Sequence, residues 1–569
     1  MSEALHVAYT PEIEEAIATI ERAITATPVV AAAFPPRWLA LELLENGDDL
    51  RTRIAGLDGG DQVIRAAEDA MTSLRMHHGD NAQIAVAGGR YDWVHEVAIE
   101  ITLKGRGDTP TRSDRIDRVL THPLAGVPVF LFAMWAVFKL TADVAAVFLD
   151  WIDAVVNGPV ARWVASAIGA IGLGDSWFED LMVDGVVAGV GGILVFLPVL
   201  IALYMALAVL EDSGYMARAA LVMDRVMRRL GLPAKSFLPM LVGFGCTVPA
   251  IYATRTLERR RDRILTGLLV PFMSCGARLP VYVLMAAAFF PNRRGTVVFA
   301  MYLLGVAVAL LIGFVAGRTV MNTSAAPPLM LELPSYRWPT PRAVWFHTWK
   351  RTSSFVKDAG TIILVTSVVL WILMAIPVGG GSFADTDIED SAFGRTARLA
   401  APVFEPAGFG SWEATGALAT GFVAKEVVVT SMAQIYGTDG LATDANEPSF
   451  AEDMSEVGSG FLGALRDTAL AVPGIIGIDL LDAESEETSS GLIGAVTAGF
   501  DAASGGRGAL AAMAFCVFVL LYTPCVAAVA AARRELGSRW MWTSIIGQTA
   551  LAWSMAVLTF QVGRLFSLG

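Results

Sequence analysis

Long apolar stretches alternate with short polar connections from about residue 120 to the end of the chain. Helices formed by such stretches would be long enough to cross a hydrocarbon core of about 30 Å. We therefore predict seven or eight full membrane spans and two or three partial ones. The long stretches are 124–148, 186–210, 264–290, 296–320, 359–377, 509–532 and 541–566, and the short or interrupted ones are 155–172, 236–253 and 416–435.

The first 120 residues show a different pattern. Ile13, Ile17 and Ile20 recur at helical spacing with acidic residues between them, which is typical of an amphipathic helix on a soluble core. The expected fold class is therefore all-α: a polytopic membrane protein with a small soluble helical domain at 1–120.

Composition supports a membrane protein and limits its partners. Hydrophobic residues make up 54% of the 569 positions and charged residues only 17%, against about 25% charged in soluble domains. The net charge is −13, so no nucleic acid partner is expected, because nucleic acid binding needs a basic surface. The acidic, lysine-poor polar segments are interpreted either as those of a salt-loving organism, whose ionic strength screens repulsion, or as ordinary solvated loops.

The distribution of Lys and Arg predicts the orientation in a cell membrane. Basic connections, among them 254–263, are expected in the cytoplasm together with the N-terminal domain. The acidic stretch 437–508 is then expected outside. On this topology 236–253 enters from the cytoplasm and 416–435 from outside. Such a pair is typical of inverted repeats with a site near the midplane, here predicted as 121–345 and 346–569; the alternative is that both are ordinary short spans.

Cysteines stand beside helix-breaking residues in three apolar stretches. Glycine and proline interrupt a helix and free backbone carbonyls, so a thiol at such a place has polar backbone beside it. A cysteine in an apolar helix is more often a small hydrophobic residue, but the recurrence favours a function. The residues concerned are Gly243, Gly245, Cys246, Thr247 and Pro249 in the first stretch, Pro271, Met273, Ser274, Cys275 and Arg278 in the second, and Pro524 and Cys525 in the third.

Sulfur ligands suit borderline or soft transition metals, whereas magnesium and calcium prefer oxygen. All six histidines lie outside the apolar stretches. A metal site among the apolar helices would therefore use sulfur, carboxylate, hydroxyl and backbone oxygen. Glu211 and Asp212, at the end of one span, are predicted either to attract a cation at the pore mouth or to be solvated caps.

Lys425 and Glu426 lie inside an apolar stretch, where ionisable residues indicate a functional site by default. Arg278 follows Cys275 by three residues and is expected on the same helical face, which makes it a candidate partner for Glu426. The alternative is a charge pair near the membrane interface.

Nucleotide chemistry is not expected of this chain. The closest approach to a phosphate-binding loop is 231–236, GLPAKS, whose spacing does not fit the G-x-x-x-x-G-K-[ST] pattern. We expect a transporter rather than an enzyme, with no catalytic residues and no bound nucleotide cofactor.

The sequence resembles the membrane part of the ferrous iron transport protein B (FeoB) family. The matching stretches are 197–232, 241–282, 421–432 and 520–531, and the cysteine-bearing ones resemble the paired "Gate" motifs of that family. The resemblance implies Fe²⁺ as the transported substrate, with Cys246 and Cys275 as ligands. It gives weaker support to Cys525, Met273, Ser274, Thr247 and Glu426. Thr247 replaces a usual Asn, and Gly276 a common Ser, so no side-chain oxygen is expected at 276.

The resemblance also bears on partners. The first 120 residues resemble the helical spacer that follows the family's GTPase domain, so a separately encoded G protein is the expected regulator. A small accessory protein, a second copy of the chain and the lipid bilayer complete the expected partners. Two alternatives stay open: a transporter of nucleosides or other small solutes, and a thiol oxidoreductase using Cys516 and Cys525, which an unbroken helix would hold about 13 Å apart.

Overall fold

The computed structural model describes residues 9–45, 48–78, 86, 88–89, 91, 93–94, 112–122, 125–174, 176–229, 231–319, 336–378, 382–425, 427–436, 450–471 and 489–566. Regular secondary structure in these residues is helical, as predicted. The chain divides into two compact units, residues 1–111 and 112–569. The further division of the second unit near residue 345 stays a prediction.

The N-terminal unit is a small bundle around an aliphatic core. Ile13, Ile17 and Ile20 are buried on the inner face of its first helix, which confirms the amphipathic pattern. Arg37 pairs with Glu14 at 2.6 Å and ties the third helix to the first. Its described helices are α1 (Pro11–Thr25), α2 (Pro28–Ala33), α3 (Pro36–Glu45), α4 (Asp48–Ala55) and α5 (Gly60–His78).

The second unit is a larger helical assembly. Many of its helices are apolar around most of their circumference, as expected of helices buried in protein and lipid. They are α6 (Arg112–Leu120), α7 (Gly126–Val155), α8 (Ala161–Ala170), α9 (Trp177–Asp180), α10 (Ala188–Asp212), α11 (Tyr215–Arg229), α12 (Phe237–Gly245), α13 (Thr247–Ala253), α14 (Arg260–Leu269), α15 (Leu279–Phe289), α16 (Arg294–Thr319), α17 (Pro341–Phe355), α18 (Thr361–Ala375), α19 (Ala392–Ala400), α20 (Trp412–Val423), α21 (Val427–Ile435), α22 (Phe450–Ala471), α23 (Ser489–Ser504), α24 (Gly508–Leu521), α25 (Val526–Leu536) and α26 (Ser538–Leu565).

The apolar helices correspond to the predicted spans. By length and composition, five helical stretches of the described chain can cross a membrane: Trp177–Asp212, Arg260–Phe289, Pro291–Gly317, Gly508–Leu536 and Ser538–Leu565. Two shorter apolar helices, Gly126–Thr141 and Thr361–Ala375, coincide with the remaining predicted spans. Several stretches contain breaks, and the short stretches 236–253 and 416–435 each form two helices.

The acidic stretch 437–508 is partly folded onto the membrane unit. Helix α22 places Asp453 in a buried position, where it pairs with Arg162 and accepts a hydrogen bond from Trp163 Nε1 at 2.9 Å. Trp151 Nε1 donates to the Val457 carbonyl at 3.2 Å. The described part of this stretch is therefore not merely a solvated loop.

A buried arginine joins three segments of the second unit. Arg218 of α11 donates from Nε to Asp117 of α6 at 2.7 Å, and its guanidinium lies 3.8 Å from the Tyr336 ring centre. Tyr336 in turn donates to Asp117 at 2.7 Å. The Arg218 hydrogen bond, followed by the one from Tyr336, lowers the pKa of Asp117 despite opposing desolvation. This contact holds α11 where the chain runs into α12.

Candidate functional site

Two short helix pairs are interrupted at extended residues with nearly the same backbone geometry. Cys246, between α12 and α13, has φ −150° and ψ 132°. Ala424, which ends α20, has φ −148° and ψ 129°. We call these the first break, at Cys246, and the third break, at 424–425. The first helix pair resumes at once with Thr247, whereas α21 begins at Val427.

Two further breaks interrupt the long apolar stretches. Met273 and Cys275 are extended between turns of 3₁₀ helix, and Tyr522 and Cys525 bound a non-helical segment between α24 and α25. We call 273–275 the second break and 522–525 the fourth. Proline contributes to the fourth break because Pro524 disfavours helical geometry at Thr523. Pro249, by contrast, lies in the first turn of α13, where its missing N–H needs no helical partner.

The first and second breaks lie against each other. A methyl group added at Gly243 would meet Met273 Cβ at 3.1 Å, so glycine allows this close approach. At Gly276 the nearest atom to an added methyl group would be the Gly245 carbonyl oxygen, at 4.0 Å. The structure thus brings Cys246 and Cys275 to neighbouring interruptions.

The third and fourth breaks are neighbours as well. A methyl group added at Gly421 would meet the Tyr522 hydroxyl at 2.7 Å. Lys425 Nζ donates to the Thr523 carbonyl at 3.0 Å and lies 2.8 Å from the centre of the Tyr522 ring. The side chain of Lys425 is therefore directed from one break to a carbonyl of the other.

Arg278 stabilises the second break rather than sharing a helix face with Cys275. The prediction that Arg278 and Cys275 share a helical face is wrong, because Cys275 is extended and Arg278 ends a short 3₁₀ turn. The buried guanidinium folds back and donates from Nη1 to the carbonyls of Pro271 at 3.1 Å and Met273 at 3.4 Å. Glu426, the predicted partner, lies outside the described residues, so its role stays a prediction.

The thiols at the breaks differ from the remaining one in exposure. Cys246, Cys275 and Cys525 are half-buried, whereas Cys516 is buried in the middle of α24, and none of the four forms a disulfide. Tyr522 is close enough to Cys275, Cys525 and Arg278 to interact with each electrostatically. Because α24 ends at Leu521, the helical spacing of 13 Å assumed for Cys516 and Cys525 does not apply.

Oxygen donors also lie at the breaks. The Thr247 hydroxyl is buried and has no hydrogen-bond partner among the described residues, which normally requires an explanation such as a water or ion. The Ser274 hydroxyl is less available, because it lies 3.2 Å from the Tyr282 hydroxyl. Thr247 is therefore the better-placed oxygen donor of the two.

No cluster of three or more His, Cys, Asp or Glu side chains suited to a metal ion occurs within the described part of the chain. A cation at the breaks would consequently use one or two thiols together with hydroxyl, thioether and backbone oxygen ligands. At the predicted pore mouth, Glu211 pairs with Arg351 at 2.8 Å, and this pair competes with a cation. Asp212 ends α10.

Two residues at the breaks carry contacts that sequence reasoning missed. Tyr522 stands in the motif that drew attention to Cys525, but its ring faces Lys425. From the sequence alone, Lys425 is only a charge in an apolar stretch. The sequence signal that could have paired Lys425 with Tyr522 is that a cation and an aromatic residue each stand in a broken apolar segment. The two segments are almost one hundred residues apart.

Three family profiles match successive parts of the chain. Residues 9–102 match the FeoB cytosolic helical domain, 298–351 match the ferrous iron transport protein B C terminus, and 193–289 with 356–539 match the Gate profile, described as nucleoside recognition. The chain belongs to the FeoB family. It is a multi-pass membrane protein whose N-terminal unit corresponds to the family's cytosolic domain, as the sequence predicted.

Curated members of the FeoB family align with most of this chain. A Fe(2+) transport protein A/Fe(2+) transporter FeoB fusion protein from Porphyromonas gingivalis is 34% identical over 99% of the chain and 65% of the relative. Fe(2+) transporters FeoB from Salmonella typhimurium and Staphylococcus aureus are each 35% identical, over 92% and 80% of the chain and 66% and 60% of the relative. The chain thus spans less than two thirds of these FeoB proteins. No solved structure matches it significantly.

Proposed function

We propose that this chain carries ferrous iron across the membrane into the cell. The observation that carries the proposal is the coincidence of three half-buried cysteines that form no disulfide, Cys246, Cys275 and Cys525, with interruptions of apolar helices. Backbone without helical hydrogen bonds inside an apolar bundle needs a protein or polar environment. Such interruptions are the usual setting of substrate sites in transporters.

The ligand chemistry of the breaks fits Fe²⁺ better than a hard cation. In the proposed site, Cys246 and Cys275 supply sulfur, Met273 a thioether, and Thr247 and Ser274 hydroxyl oxygen. Cys525 and Glu426 remain sequence-based candidates outside this primary ligand set. Sulfur donors favour iron(II) over magnesium and calcium, while zinc and manganese remain competitors. A few ligands of mixed type also allow release, which a tight thiolate cage would slow.

Regulation by a G protein is part of this proposal. The unit that matches the FeoB cytosolic helical domain offers the docking region for a GTPase. A small accessory protein is a second proposed partner, since one relative is a fusion with Fe(2+) transport protein A. This chain itself acts as the transport pathway and not as an enzyme.

The test is uptake of radioactive iron(II) into vesicles containing the purified chain together with its G protein. Cys246→Ala and Cys275→Ala should each reduce the initial rate at least about tenfold, as expected when a ligand of a metal site is lost. Cys516→Ala is the matched control, because this thiol is buried within the continuous helix α24 and not at a break, and it should retain uptake. Full uptake in both site variants would contradict sulfur ligation.

A nucleoside is the alternative cargo, because the Gate profile carries the description nucleoside recognition. The same vesicles distinguish the two substrates. Iron uptake that an excess of mixed nucleosides leaves unchanged supports the metal. Nucleoside uptake that iron(II) does not inhibit would favour the alternative.

A further inference from the structure

The first and third breaks share a backbone geometry but present opposite chemistry. At the first break the extended residue is Cys246 and the next is Thr247, whose hydroxyl is buried without a partner in the described structure. At the third break the extended residue is Ala424 and the next is Lys425, which is 2% exposed. One break therefore offers a thiol and a hydroxyl, and the other a methyl group and an ammonium group.

The Lys425 ammonium group lies where a cation would bind at the fourth break. Its Nζ donates a hydrogen bond to Thr523 O at 3.0 Å and lies 2.8 Å from the centre of the Tyr522 ring. A backbone carbonyl and an aromatic face are both groups that attract cations. Cys525, a half-buried thiol, lies two residues beyond Thr523.

A fixed charge at this place has a large effect on a second cation. Electrostatic interactions in a poorly hydrated protein interior are several times stronger than in water. A divalent cation binding to the Thr523 carbonyl would have to displace Lys425 or bind beside it. At the other pair of breaks the buried cation is Arg278, which donates to two carbonyls of its own segment, those of Pro271 and Met273.

We propose that Lys425 is a specificity-determining residue that occupies the cation position at the fourth break and excludes metal ions from it. The metal is thereby confined to the first and second breaks, at Cys246 and Cys275. The location of the metal rests on the proposed function. The positive potential that Lys425 creates at Cys525 does not, and it can be measured without iron.

The first experiment measures that potential by thiol modification of the full-length chain. In a Cys246→Ala, Cys275→Ala background, the rates at which a cationic and a neutral methanethiosulfonate modify Cys525 are compared. Their ratio cancels changes in thiol reactivity. Lys425→Met should raise the ratio of cationic to neutral rates about tenfold, the effect of one unit charge about 12 Å from the charge of the reagent at an effective dielectric constant near 20.

Three further variants serve as controls or replacements in this measurement. Lys425→Arg retains the charge and should keep the original ratio. Lys357→Met removes an exposed lysine elsewhere and should also leave it unchanged. If Lys425→Met does not give a monodisperse protein, Lys425→Gln, which can still donate to the Thr523 carbonyl, replaces it. An unchanged ratio in the folded neutral variant would overturn the proposal.

The second experiment transfers the residues of the first break to the third. Ala424→Cys combined with Lys425→Thr should add a second cobalt(II) site, seen as roughly doubled thiolate-to-cobalt absorption at saturation. Ala424→Cys alone, with Lys425 retained, should not add it. A second site in the single variant would contradict exclusion by Lys425, and so would the lack of a second site in the folded double variant if the original protein binds one cobalt ion.

The outcomes separate this inference from the proposed function. If iron uptake does not depend on the cysteines but Lys425→Met changes the modification ratio as predicted, the positive potential at Cys525 is confirmed and the iron transport proposal is rejected. If iron uptake depends on Cys246 and Cys275 but Lys425→Met leaves the modification ratio unchanged, only the role inferred for Lys425 is rejected.

Discussion

The two pairs of breaks have similar backbone packing but different side chains. In each, a glycine three residues before the extended residue lies against the neighbouring break: Gly243 against Met273, and Gly421 against Tyr522. Each pair also uses a buried cationic side chain to satisfy carbonyls that the interruption frees. Arg278 serves the second break and Lys425 the fourth.

The difference lies in where the cation comes from and what stands beside it. Arg278 belongs to the same segment as the carbonyls it caps, only five to seven residues away. Lys425 reaches a segment 98 residues further along the chain. The two pairs of breaks therefore share their backbone geometry, whereas the side chains at equivalent positions decide which break can bind a metal.

Replacing the capping arginine should have the largest effect on stability. Arg278→Met would leave the carbonyls of Pro271 and Met273 without their charged donor, and we expect a loss of about 3 kcal/mol. Lys425→Met should cost roughly half as much, because Lys425 donates to one carbonyl at the fourth break. Denaturant unfolding in detergent, followed by tryptophan fluorescence, provides the measurement.

Arg278→Lys is the control for this comparison. It retains the charge with fewer donors, so its stability should fall between those of the original protein and Arg278→Met. Equal stability of all three proteins would show that the arginine does not hold the second break.

The two equivalent glycines should differ in their tolerance of a methyl group. Gly421→Ala would bring Cβ into overlap with Val428 Cγ2 and to 2.7 Å from the Tyr522 hydroxyl, and overpacking of this kind costs about 2 kcal/mol. Gly243→Ala meets Met273 only at 3.1 Å and gains helix propensity, so its net effect should be within about 1 kcal/mol. The same unfolding assay ranks them, and the reverse order would argue against the equivalence.

The smallest effect on stability is expected at Gly276. The nearest atom to an added methyl group is the Gly245 carbonyl oxygen at 4.0 Å, so Gly276→Ser should change stability by no more than about 0.5 kcal/mol. Its hydroxyl would add an oxygen donor between the first and second breaks, and cobalt(II) affinity should rise a few-fold. Gly276→Ala, which adds the carbon without the oxygen, should leave affinity unchanged; an equal rise in both variants would exclude ligation by the hydroxyl.

The sequence by itself determined the helical fold, the seven apolar segments and the places where they break. Helix periodicity, stretch length, glycine and proline are local properties, so the amphipathic first helix and the interruptions at Cys246 and Cys275 could be read without knowing any contact. The same reasoning failed for Arg278, because it assumed a continuous helix through residues that form an extended segment and a 3₁₀ turn.

Only the tertiary structure decided how the breaks meet and which groups fill them. The contact of Lys425 with Thr523, and the approach of Gly243 to Met273, join residues far apart in the chain. Such pairings depend on how whole helices pack, since no local preference distinguishes one freed carbonyl from another. The physical reason is that a break creates the need for a partner, while the surrounding packing decides which side chain is close enough to meet it.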